Sequence, residues 1–134
     1  MEGAEENELY EKLKTYDVIW VNGGDTFYLL YWVKKSGFDK ILPRLLEEGK
    51  TYVGLSAGSI LLCPTIEVAG WEGQDDPNII ELKDHNGLNM IHFFMFVHYN
   101  SGWEGVIEKH EKDLSGKLIR LSNEQAVLED GTVI

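Results

Sequence analysis

Residues 51–59, Thr-Tyr-Val-Gly-Leu-Ser-Ala-Gly-Ser, set a β-branched and aromatic run directly against a Gly-x-Ser-x-Gly pentapeptide. A strand that enters such a pentapeptide turns sharply into a helix, because small residues on either side of the serine let backbone segments approach each other closely. The serine oxygen is then held clear of the sheet, and the first amide of the helix can face a developing negative charge. Ser56 is the candidate nucleophile on this reading, and the amide of Ala57 a candidate oxyanion donor.

The rest of the chain supports a strand-to-helix context. Residues 17–22 contain the apolar run Val18-Ile19-Trp20-Val21, the pattern of a strand buried on both faces of a parallel sheet. Gly23-Gly24-Asp25 follows as a tight turn, with Asp25 or Thr26 able to cap the next helix. Residues 27–33 are apolar on every side, which points to an interface near Tyr28, Tyr31 or Trp32. After Ser36-Gly37, Phe38, Ile41, Leu42, Leu45 and Leu46 keep the spacing of a core-facing helical stripe. An amphipathic helix with Leu9, Leu13 and Tyr16 on one stripe is expected over residues 5–16.

This strand, helix, strand, helix order predicts an α/β fold, a mainly parallel sheet flanked by helices. Ligands of such sheets bind at the carboxyl ends of strands, where both Gly24 and Ser56 fall. Residues 67–89 show no regular pattern, and loops this long in a compact domain usually serve a site. A strand is expected over residues 91–97, a helix over 103–114, and short strands over 117–121 and 125–128. Asp130-Gly131 is a hairpin turn signal.

A serine nucleophile needs a base, and the base needs an orienting group. His98 sits just past a predicted strand, on the same sheet edge as Ser56, whereas His85, His92 and His110 lack that placement. The orienting acid stays open on pattern alone: Asp75 and Asp76 precede His98 in the long loop, and Glu124 follows it. Metal chemistry is not expected. His92 and His98 would stand about 20 Å apart on one strand, and no His-x-x-x-His or Cys pair occurs.

Composition narrows the partners. With 134 residues the chain suits one domain spanning 1–134, and a net charge of −11 disfavours nucleic acid and anionic membranes. One cysteine, Cys63, follows two leucines and reads as a buried reduced thiol, which suggests a cytoplasmic setting. Neither an export signal nor a membrane span is expected from the sequence.

Four ordered blocks resemble the peptidase E (aspartyl dipeptidase) family of serine peptidases, which includes cyanophycinase. They are Gly23-Gly24-Asp25-Thr26-Phe27-Tyr28-Leu29-Leu30, Gly54-Leu55-Ser56-Ala57-Gly58, Cys63-Pro64-Thr65-Ile66, and Gly87-Leu88 followed ten residues later by His98. The resemblance implies a flavodoxin-like three-layer fold similar to class I glutamine amidotransferases, with serine replacing their cysteine. By position it implies Ser56 as nucleophile, His98 as general base, Glu124 as third member, and the amides of Gly24 and Ala57 as oxyanion hole. It further implies hydrolysis of short peptides through an acyl-enzyme, without a cofactor.

The chain departs from the family where Asp25 replaces the usual asparagine and where the family's first strands are lacking. Between Ser56 and His98, Lys83 is the only Lys or Arg against six carboxylates, so specificity for an aspartyl substrate is not expected. A homodimer is expected from the apolar surface. The alternative reading is a catalytically inactive, truncated module that acts in binding or assembly.

Overall fold

The computed structural model describes residues 2–134. Helix α1 (Glu2–Leu13) leads into strand β1 (Val18–Val21), then α2 (Thr26–Lys35), α3 (Phe38–Glu47) and strand β2 (Thr51–Gly54). A single helical turn, α4 (Ala57–Ile60), follows β2, and strand β3 (Phe94–Phe96), α5 (Glu104–His110) and strand β4 (Leu118–Arg120) complete the order. The strands pair in parallel, as their apolar runs and intervening helices require. β1 runs beside β2 with Val18 opposite Thr51 and Val21 opposite Gly54, and β3 runs beside β4 with Phe94 opposite Leu118.

The hydrophobic stripe of α3 lands as its spacing demands, with Phe38, Ile41, Leu42 and Leu45 all buried. In α2 the inward face is Phe27, Leu30 and Val33, together with the fully buried Thr26. α1 differs from expectation: it begins and ends earlier, and its buried residue is Tyr10. The Tyr10 hydroxyl donates to the Glu48 carboxylate at 2.6 Å, and Arg44 lies 3.7 Å over its ring. Tyr16 falls beyond the helix and is exposed.

The expected burial of β1 on both faces fails because burial depends on neighbours distant in sequence. β1 is covered on one face only: Ile19 is 6% exposed, but Val18 is 50% and Trp20 61% exposed. β3, by contrast, is buried at every position. The strand expected over residues 91–97 is confined to Phe94–Phe96, and residues 125–128 form one antiparallel bridge, Val127 to Val133. The turn around Gly131 closes that bridge.

The long segment after α4 is held from both sides. Gly87 donates to the Pro64 carbonyl at 3.0 Å and Ile66 to the His85 carbonyl at 2.9 Å. Glu72 binds Lys109 and His110 of α5, which holds its carboxyl down at about 2, and the His110 ring stacks on Trp71.

Candidate active site

The turn after β2 is built by steric necessity. Ser56 takes φ 54° and ψ −114°, a region L-residues rarely occupy and that costs about 1–3 kcal/mol. The fold compensates by locking the turn. Gly58 packs so tightly that a β-carbon there would strike the Val21 carbonyl of β1, and one on Gly54 would lie 2.6 Å from the Gly58 oxygen. The Tyr52 hydroxyl donates to the Gly58 carbonyl at 2.5 Å, and Ser59 Oγ donates to the Gly54 carbonyl at 2.7 Å. Burial pushes the Tyr52 phenol well above its ordinary range, so it remains a donor.

The strained turn directs the serine at a histidine. Ser56 Oγ lies 2.8 Å from His98 Nε2. His98 sits two residues beyond β3 and has φ 57°, so both side chains of this pair are presented from left-handed backbone at strand ends. The other ring nitrogen, Nδ1, lies 2.6 Å from Oδ1 of Asn123 in the loop after β4. An amide oxygen only accepts, so the proton rests on Nδ1 and the lone pair of Nε2 faces the Ser56 hydroxyl.

Among the acids considered from sequence, none stands at Nδ1. Glu124 is the next residue along, exposed and without a hydrogen bond or ion pair among the described residues. Asp76 accepts from both the amide and the hydroxyl of Thr26, the amide bond being 3.3 Å, and so ties the long loop to the start of α2. Asp75 is exposed. Sequence reasoning missed Asn123, whose only signal was its place in the turn-like Ser-Asn-Glu-Gln run.

Gly24 and Ala57 carry the amides proposed for an oxyanion. Ala57 opens α4, and neither its amide nor that of Gly24 has an acceptor among the described residues. Gly24 holds φ 134°, which a side chain would not tolerate. Its neighbour Gly23 lies against Ser56, since a β-carbon there would stand 3.1 Å from Ser56 Cβ. Asp25 turns away into a helix cap, its Oδ1 accepting from the Tyr28 amide at 2.8 Å. Its Oδ2 is enclosed without a partner.

Beside the first turn of α2 a cleft of about 460 Å³ is lined by Phe27, Glu67, Asp76 and His85, and it continues past Glu67 and His85 toward Lys83 and Asp84. Neither Ser56 nor His98 lines it; their pair opens directly to solvent.

A parallel α/β core whose β2 strand ends in a strained serine, with a histidine from β3 upon it, defines the architecture of a nucleophile-elbow protein. The chain belongs to peptidase family S51, whose profile matches residues 1–134. An uncharacterized peptidase of Listeria monocytogenes is 32% identical over 128 residues, covering 92% of this chain and 62% of the relative. Peptidase E of Nostoc is 32% identical over 101 residues, covering 75% of this chain and 38% of the relative. A crystal structure of a L. monocytogenes EGD-e protein provisionally named peptidase E superposes with a TM-score of 0.77 at 29% identity, over 96% of this chain and 63% of the other. The chain thus spans about six-tenths of the length of these two L. monocytogenes proteins. Among the described residues no helix is long and apolar enough to cross a membrane.

Proposed function

We propose that the chain is a serine peptidase that hydrolyses short peptides through an acyl-enzyme on Ser56. The observation that carries this reading is the 2.8 Å contact between Ser56 Oγ and His98 Nε2, made by a serine in strained backbone. His98 takes the Ser56 proton as Oγ attacks the peptide carbonyl, and the carbonyl oxygen gathers negative charge facing the amides of Gly24 and Ala57. His98 then gives that proton to the departing amine. Water, deprotonated by His98, attacks the acyl group and regenerates Ser56.

The third member in this mechanism is Asn123 rather than Glu124 or a loop aspartate. Asn123 Oδ1 accepts from Nδ1 and so holds the ring in the tautomer that leaves Nε2 free, as the asparagine of Cys-His-Asn triads does; it adds no charge to stabilise the imidazolium. Each oxyanion amide contributes on the order of 10²-fold to 10³-fold in rate. Glu67, Asp76 and Asp84 in the neighbouring cleft, against Lys83, argue for substrates without an acidic side chain. A buried free thiol at Cys63 supports a cytoplasmic setting, and exposed apolar surface supports a homodimer.

The test is intact-mass analysis after incubation with a fluorophosphonate, with Ser56→Ala as control. One adduct that disappears in the control is the expected result. A folded chain that takes no adduct overturns the reading in favour of an inactive binding module.

A further inference from the structure

The hydrogen-bond ladder between β3 and β4 runs on past the strand ends with one residue extra. In an even parallel ladder a residue bonds the two neighbours of its opposite number, which lie two positions apart. Here the Leu121 amide donates to the Phe96 carbonyl at 2.9 Å, and the Leu121 carbonyl accepts from the Tyr99 amide at 3.0 Å. Phe96 and Tyr99 lie three positions apart, so Val97 and His98 share the single place opposite Leu121. This is a β-bulge, a device by which a strand re-aims a side chain. It lets Val97 stay buried while His98, at φ 57°, turns its ring to Ser56.

Even spacing would carry the His98 amide onto the Leu121 carbonyl and set its ring on the face of Phe96. It would also relieve the left-handed backbone at His98, so the bulge needs a restraint. Tyr99 closes the bulge, and its side chain supplies that restraint. The Tyr99 hydroxyl donates to Glu104 Oε1 at 2.6 Å. Glu104 in turn accepts from Arg120, the β4 residue opposite Phe96: Nε donates to Oε1 at 2.7 Å and Nη2 to Oε2 at 3.1 Å. The remaining reach of the same guanidinium grips Glu111, at 3.1 and 2.9 Å. Arg120 holds the Glu104 carboxyl below its ordinary value, and Glu104 raises the Tyr99 phenol, so a donor meets a carboxylate at every link.

We propose that Tyr99, Glu104 and Arg120 are positioning residues for His98: they clamp the far side of the bulge to β4 and so hold the imidazole between Ser56 and Asn123. They act through chain neighbours, since His98 precedes Tyr99 and Asn123 follows Arg120 by three residues. Their bearing on catalysis rests on the hydrolytic reading of the Ser56 and His98 pair. The clamp itself does not.

A second cluster of the same chemistry supplies the comparison. Tyr10 donates to Glu48 at 2.6 Å, and Arg44 Nε donates to Glu48 Oε1 at 3.1 Å, joining α1 to the end of α3. No site residue is a chain neighbour of this cluster.

Heteronuclear NMR of the His98 ring nitrogens, and the rate of Ser56 labelling by a fluorophosphonate, test the proposal on Tyr99→Phe and Tyr10→Phe. In the parent chain the proton rests on Nδ1. Tyr99→Phe is expected to shift part of it to Nε2 and to slow labelling by about tenfold to 10²-fold, within what a misplacement of about 1 Å costs. Tyr10→Phe loses an equivalent bond and should leave both readouts unchanged. Glu104→Gln, which keeps the size of the side chain, should move both in the direction of Tyr99→Phe. The parent's tautomer and labelling rate in Tyr99→Phe would overturn the proposal. Equal losses in Tyr10→Phe would do so too, by reducing the clamp to general stability. A parent chain that takes no label ends the hydrolytic reading alone, and the tautomer in Tyr99→Phe then decides the clamp.

Discussion

His98 Nδ1 and Asn123 Oδ1 stand 2.6 Å apart, and this bond, made by a neutral side chain, sets which nitrogen of the imidazole faces Ser56. The neighbouring Glu124 carries the charge and Asn123 carries the contact. The two residues make separable predictions.

Asn123→Ala is expected to lower the rate of Ser56 acylation by about 10²-fold, because the ring loses its orienting acceptor while nucleophile and oxyanion amides remain. Glu124→Gln should change it less than twofold. Single-turnover labelling of both variants measures this, and the opposite ranking would return the third position to Glu124.

Replacing Ser56 by glycine should separate chemistry from stability. Glycine relieves the strain of φ 54° at some cost in backbone entropy, leaving a net gain of about 1 kcal/mol. Labelling vanishes while the thermal midpoint rises by about 4 °C, and calorimetry of the variant beside the parent chain would detect it.

Gly58→Ala should act in the reverse sense. A β-carbon there meets the Val21 carbonyl, which is backbone and cannot rotate aside. Displacing β1 from the turn costs about 3 kcal/mol, at the upper end of overpacking penalties. Urea unfolding reports the loss; an unperturbed midpoint would show that the turn is looser than this contact requires.

Cys63 offers a pH-dependent check on the core. Burial pushes its thiol from an ordinary value of 9.0 up to about 12. Only the thiolate reacts, so at pH 8 the native chain should be alkylated about 1,000-fold more slowly than the chain in urea. The native rate should still be climbing above pH 10, where the unfolded rate has levelled off. Fast labelling of the native protein at neutral pH would place this thiol outside the core.

Much of this protein was legible in its sequence because the features concerned are local. The small residues around Ser56 state the geometry of the turn, the spacing in α3 states its buried stripe, and Asp25 caps α2 from the position its residue type favours. That His98 follows the end of a strand could be read by counting, although that strand, β3, pairs with β4 and not with β1 or β2. What lay beyond reach is non-local. The apolar run of β1 reads the same whether one neighbouring strand exists or two, and only the fold leaves Val18 and Trp20 uncovered. Likewise, the turn after β4 offers Asn123 and Glu124 side by side, and successive side chains of a turn leave it in different directions. One residue of register therefore decides which of them reaches His98, and packing between distant segments sets that register.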